Sequence, residues 1–160
     1  MSSISPLKSL NGAFRFKLLV SFLYVLLIII TYYTAVYLVN YPHATRPVLN
    51  IGYYEYLIRQ AFGEEVMYRL FPLALAVSLF GANWIVLSLV IMSVSTYFAI
   101  GHIGLLSLFP VGVAGVLLSL AFLQFGGYDK KYLNGLLWCG FIHSFCNFSF
   151  FVFVPALFFN

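Results

Sequence analysis

Charge is almost absent from this chain. Aspartate and glutamate together number four and lysine and arginine eight, whereas 63% of the 160 residues are hydrophobic. A soluble domain of this length cannot hide so much apolar surface, so composition excludes a soluble globular protein. Long apolar runs favour helices that satisfy their own backbone hydrogen bonds in lipid. We therefore predict an all-α, polytopic transmembrane bundle of about five membrane helices.

Cysteine is scarce as well. Cys139 and Cys146 lie on one predicted helix, about 10 Å apart along its axis, which is too far for a disulfide between them. No His-Glu-x-x-His zinc helix occurs in the sequence. The few basic residues are scattered, and several flank apolar runs as topogenic signals do. The lipid bilayer is thus an expected partner, and nucleic acid is not.

Turn signals divide the chain. We predict a basic, mobile N-terminal tail at residues 1–17 and a single helical domain at 18–160, with helices at 18–39, 51–80, 84–101, 105–125 and 132–158. Pro72 should kink the second helix, His102 falls in the third connection, and Gly112 and Gly115 form a small-residue stripe for close helix packing.

The basic residues also orient the bundle. We expect the N-terminus inside and the C-terminus outside, because more basic residues then face the interior. In that orientation the inner ones are Lys8, Arg15, Lys17, Lys130 and Lys131, and the outer ones are Arg46 and Arg59. The sequence therefore predicts an integral, multi-pass membrane protein.

Three charges interrupt the second apolar run, at Glu64, Glu65 and Arg69. A charge near the bilayer centre costs roughly 2.5–3.5 kcal/mol on insertion scales, so such residues usually mark a functional site. Glu65 and Arg69 are four residues apart and can pair, which leaves Glu64 without an obvious local partner. A carboxylate removed from water takes up a proton more readily and can act as a general base.

Three further polar side chains lie at a similar depth. At about 1.5 Å per residue, His102, His143 and Asn147 fall with Glu64 in the middle-to-outer half of a core about 30 Å thick. His143 and Asn147 are four residues apart and share one helix face, where two N–H groups form a plausible oxyanion-stabilising pair. The four side chains can therefore share one cavity.

These residues also carry a family resemblance. Glu64-Glu65-x-x-x-Arg69, Phe98-x-x-x-His102 and His143-x-x-x-Asn147, in this order, resemble the three motifs of the CPBP (ABI) family of CAAX-processing and bacteriocin-processing intramembrane glutamic endopeptidases. The motifs lie between residues 63 and 148, so the domain at 18–160 resembles a minimal protease core of that family.

The resemblance implies a role for each residue. Glu64 would activate a water that His102 helps to hold and deprotonate, and His143 and Asn147 would stabilise the oxyanion. Glu65 and Arg69 would form a supporting ion pair. The resemblance implies no cofactor and no metal, and the bacterial cytoplasmic membrane as the location. The substrate would be a membrane-anchored protein or peptide, with a lipidated CAAX-like tail or a C-terminal sorting signal; an outward-facing site favours the sorting signal.

Other interpretations stay open at this point. Glu64, His102 and His143 are conceivable zinc ligands, which would make the protein a zinc-dependent membrane protease. A non-enzymatic membrane partner, such as a bacteriocin-immunity protein, is a second alternative. Taken singly, the glutamates can lie solvated at the membrane interface, His102 can bond a backbone carbonyl at a helix end, and Asn147 can join two helices.

Overall fold

The fold comes from a computed structural model that describes residues 6–40 and 50–158. Within these ranges there are helices and no strands, which confirms the predicted all-α bundle. The α-helices are α1 (Pro6–Val39), α2 (Ile51–Glu65), α3 (Phe71–Phe80), α4 (Trp84–Ile103), α5 (Pro110–Phe122), α6 (Tyr132–Phe148) and α7 (Val154–Phe158). A π turn at Val66–Leu70 joins α2 to α3, and another at Ser149–Phe153 joins α6 to α7. A 3-10 turn at Gly104–Leu108 follows α4, and a π turn at Leu123–Gly127 extends α5.

Three predicted helix boundaries are wrong. The fourth predicted helix begins as α5 at Pro110 rather than at residue 105, because a 3-10 turn at Gly104–Leu108 precedes it. The first helix already includes Pro6, well before residue 18, because no proline interrupts the chain between Pro6 and Pro42. The third predicted helix, α4, continues to Ile103, so His102 lies in its last turn rather than in a connection. That helix ends at Gly104, whose φ of 67° is readily adopted by glycine. Most of the predicted connection between residues 39 and 51, namely residues 41–49, lies outside the described residues.

Proline explains two of the irregular turns. The π turn at Val66–Leu70 ends two residues before Pro72, and the one at Ser149–Phe153 ends two residues before Pro155. Proline cannot donate the helical hydrogen bond, and its ring crowds the carbonyl four residues earlier, so the preceding turn widens. The disturbance expected at Pro72 is therefore a π turn, and it begins directly after Glu65.

Within the described parts of the chain, four helical segments are long and apolar enough to cross a membrane: Ala13–Val39, Trp84–His102, Pro110–Gly127 and Tyr132–Ala156. Together with the π turn between them, α2 and α3 form one helical segment. This segment carries the charged motif and lies antiparallel to α6. Tyr54 meets Phe148 with ring centroids 5.7 Å apart, whereas further along α2 Phe62 touches Gly140. The charged motif of this segment therefore faces α6.

Small residues allow the close approach that this arrangement needs. A Cβ added at Gly140 would lie 2.5 Å from the Phe62 ring, and one at Gly115 would lie 3.0 Å from the Ser95 Cβ. These contacts draw α6 onto α2 and α5 onto α4. The close packing predicted for Gly115 is confirmed, and Gly112 faces the Ala99 Cβ across the same helix pair.

Candidate active site

A cavity of about 570 Å³ lies between α1, α2, α4, α5 and α6, and Glu64, His102, His143 and Asn147 all line it. The cavity is near the end of the bundle where α2 and α5 begin and α4 ends, since Tyr53 and Pro110 also line it. The connection that contains Lys130 and Lys131 lies at the opposite end. The four side chains that helical rise placed at a similar depth in the sequence analysis therefore line one cavity in the structure.

Glu64 has a local partner that the sequence interpretation missed. Its Oε1 accepts a hydrogen bond of 2.9 Å from Nε2 of Gln60, one turn earlier on α2. Its Oε2 lies 3.5 Å from Nε2 of His143. The side chain is 19% exposed, so the carboxylate faces the cavity without being open to bulk solvent. The four-residue spacing between Gln60 and Glu64 was the available signal.

Glu65 and Arg69 lie behind the cavity wall, and both side chains are completely buried. The predicted pair is present, with Nη1 of Arg69 donating to Oε1 of Glu65 over 3.1 Å. The guanidinium also stands over the Phe98 ring, 4.3 Å from its centroid, where the aromatic face attracts a cation. Among the described residues, Nε and Nη2 of Arg69 have no hydrogen-bond partner. Glu65 and Phe98 therefore supply the electrostatic neighbours of this charge.

His143 bridges the two glutamates. Its Nδ1 lies 2.7 Å from Oε1 of Glu65, and its Nε2 faces Glu64. An ionised carboxylate can only accept hydrogen bonds, so Nδ1 carries a proton and donates it to Glu65. This bond fixes the ring orientation and leaves Nε2 as the nitrogen at the cavity.

A buried thiol completes the surroundings of Glu65. Sγ of Cys139 donates to Oε2 of Glu65 over 2.7 Å and also approaches the Leu118 carbonyl oxygen at 3.2 Å. Each oxygen of Glu65 is therefore bound, and Oε1 accepts from both His143 and Arg69. The sequence interpretation weighed Cys139 only as half of a disulfide. Its position one turn before His143 on α6 was the clue to this contact.

His102 makes the hydrogen bond to a backbone carbonyl that is expected of a histidine at a helix end, and it also lines the cavity. Its Nδ1 lies 2.8 Å from the backbone oxygen of Phe98. Because a carbonyl oxygen only accepts, Nδ1 carries the proton, and in the neutral ring Nε2 is then an acceptor. The imidazole packs against the Phe98 side chain, with centroids 4.6 Å apart. The hydrogen bond to the Phe98 carbonyl therefore fixes the tautomer of the neutral His102 ring, with the proton on Nδ1 and Nε2 as the acceptor.

Asn147 lies one turn beyond His143 on α6, next to the buried Cys146. Among the described residues no hydrogen bond engages its carboxamide, so its N–H groups are free for a ligand in the cavity. No group of three or more histidine, cysteine, aspartate or glutamate side chains among the described residues is arranged to hold a metal ion.

The model of one protein family, described as type II CAAX prenyl endopeptidase Rce1-like, matches residues 47–149. That range covers more than half of the chain and includes every motif residue discussed above. The chain belongs to the Rce1-like family. The resemblance to CAAX-processing proteases is thereby confirmed, whereas no curated protein and no solved structure matches the chain. Family membership and four membrane-length helices support an integral membrane protease of the CAAX type.

Proposed function

We propose that this chain is a glutamic endopeptidase that hydrolyses a peptide bond of a membrane-associated protein, with Glu64 as the base that activates water. The observation that carries the proposal is the shared cavity: Glu64, His102, His143 and Asn147 line it, whereas Glu65 and Arg69 lie behind its wall. Acid–base groups are thus within reach of a bound peptide, and a buried pair supports them from outside.

Water activation follows from the hydrogen bonds at the site. Glu64 takes a proton from the water while the water oxygen bonds to the peptide carbonyl carbon. Nε2 of His102 accepts from the water's other hydrogen and orients it, because Nδ1 is committed to the Phe98 carbonyl. The carbon–nitrogen bond then breaks, and Glu64 returns the proton to the leaving amine. No covalent enzyme intermediate forms.

The oxyanion of the tetrahedral intermediate needs donors. His143 offers Nε2–H when its ring is doubly protonated, with Nδ1–H bonded to the Glu65 carboxylate. Asn147 offers its amide N–H groups from the next turn of α6. Two preorganised donors aimed at developing negative charge are the arrangement that stabilises acyl-transfer transition states.

The cavity walls indicate an apolar substrate segment. Most lining side chains are aromatic or aliphatic: Ile28, Tyr32, Tyr53, Tyr56, Leu57, Phe98, Val111, Ala114, Leu118, Phe150 and Phe151. With the N-terminus inside, the cavity lies toward the outer face, away from Lys130 and Lys131. We therefore propose the C-terminal sorting region of an exported, membrane-anchored protein as substrate. A cytoplasmic C-terminus would reverse this orientation and favour lipidated CAAX-like tails.

The test uses purified protein in proteoliposomes and quenched-fluorescence peptides of four kinds: CAAX-like or sorting-signal tails, each with and without a prenyl group. Glu64→Gln should lower cleavage by about 10²–10⁴-fold, the contribution typical of a positioned acid–base group. Glu55→Gln is the matched control, because Glu55 lies on the exposed side of the same helix and pairs with Arg59. Cleavage should persist in the presence of a metal chelator.

Three outcomes would contradict the proposal. Equal cleavage by wild type and Glu64→Gln would remove Glu64 as the base. Loss of activity with chelator, restored by zinc, would support the zinc-dependent alternative. A phenotype in cells that survives Glu64→Gln at equal abundance would support a non-enzymatic binding partner.

A further inference from the structure

Gln60 is tied to the proposed base but belongs to none of the sequence motifs. Its Nε2 donates to Oε1 of Glu64 over 2.9 Å, and both side chains line the cavity. The titratable side chains that line the cavity with Glu64 are Tyr32, Tyr53, Tyr56, His102, His143 and Cys146, and behind its wall lies Glu65, which is held by Arg69. The two oxygens of Glu64 therefore have different neighbours: Oε1 has Gln60, and Oε2 has His143.

We propose that Gln60 is a positioning residue for hydrolysis: its amide holds Oε1 of Glu64 so that Oε2 is directed into the site as an ionised base. This inference rests on the proposed role of Glu64. A neutral amide suits the task, because it donates to the ionised carboxylate without adding a further positive charge to that of His143. A lysine or arginine at this position would make Glu64 a weaker base.

The same helix offers an internal comparison. Arg59 donates to Glu55 over 2.6 Å with the same four-residue spacing, but these side chains are 78% and 62% exposed. That pair faces away from the cavity and should contribute only ordinary helix stabilisation. Any effect of Gln60 that arises merely from helix stability should therefore be reproduced by removing Arg59.

The experiment measures kcat and KM against pH for the peptide reporters in proteoliposomes. Gln60→Met keeps the side-chain length but cannot donate. It should lower kcat about tenfold at neutral pH and move the acidic limb of the profile up by about one pH unit, because a carboxylate without its donor binds a proton more readily. Gln60→Glu, nearly isosteric, should move the limb further through like-charge repulsion. Arg59→Met should leave kcat and the pH profile unchanged.

The variants separate this inference from the proposed function. An unchanged kcat and pH profile in Gln60→Met, with Glu64→Gln inactive, would overturn the positioning role alone. An equal loss in Gln60→Met and Arg59→Met would assign the effect to helix stability and overturn it too. Cleavage by Glu64→Gln would overturn the proposed function instead. If Gln60→Met does not fold, the limb of Gln60→Glu decides, and an unshifted limb contradicts the inference.

Discussion

The buried pair Glu65–Arg69 makes a prediction in which stability and activity change separately. Both side chains have no solvent exposure. Arg69→Met leaves Glu65 as a buried charge with only Cys139 and His143 as neighbours, and breaking such a pair costs about 3–5 kcal/mol. Replacing both partners by apolar side chains of similar volume is often neutral or stabilising. Glu65→Leu combined with Arg69→Met should therefore be more stable than Arg69→Met, although the unpaired Nδ1–H of His143 still costs about 1–3 kcal/mol relative to wild type.

Activity should follow a different order. In Arg69→Met the Glu65 carboxylate still accepts from Nδ1 of His143, so whatever protein folds should retain part of its activity. In the double variant that acceptor is gone, and nothing fixes the ring orientation that brings Nε2 to the cavity. Losses of about 10–100-fold are usual when the group that orients a functional histidine is removed. The double variant should therefore be more stable than Arg69→Met but at least about tenfold less active than wild type.

Thermal unfolding in detergent, followed with a thiol-reactive fluorophore, measures the stability of each variant. Cys139 and Cys146 are free and buried, so the dye should report their exposure on unfolding. Cleavage of the peptide reporters in proteoliposomes measures the activity of each variant. A double variant as unstable as Arg69→Met would refute the view that charge burial causes the instability. A double variant as active as wild type would refute the positioning of His143 by Glu65.

Two further substitutions test the packing and the oxyanion donors. Gly140→Ala should destabilise the fold by about 1–3 kcal/mol, because its Cβ would lie 2.5 Å from the Phe62 ring; Phe62→Leu should restore part of this in thermal unfolding, and no rescue would contradict the contact. Asn147→Ala should lower kcat by about 10²–10³-fold with a change in stability below about 0.5 kcal/mol. An unchanged kcat for Asn147→Ala would remove it from the oxyanion site.

Helix positions and depths could be predicted because apolar length and helical rise are one-dimensional quantities. The 126–131 connection separates two long apolar runs, and the spacing of Glu64, His143 and Asn147 along their helices limited them to one depth. The Glu65–Arg69 pair needed only a four-residue separation. Such local rules act within a single helix and hold wherever it packs.

Contacts between helices were harder to predict, because they depend on how each helix is rotated about its axis. The Cys139–Glu65 bond joins residues 74 positions apart, and the sequence alone does not show which face of α6 meets α2. Phe98 as a platform for Arg69 depends in the same way on the rotation of α4. Gln60 differs from these, since its bond to Glu64 was within reach of the four-residue rule.

The central claim is that Glu64 makes this chain a protease, and terminomics mass spectrometry tests it most directly. Cells that express the chain, its Glu64→Gln variant or its Glu55→Gln control at equal abundance are compared for protein termini in membrane and secreted fractions. New termini on membrane-associated proteins should accompany wild type and Glu55→Gln and be missing with Glu64→Gln. The same set of termini in all three strains would contradict the claim.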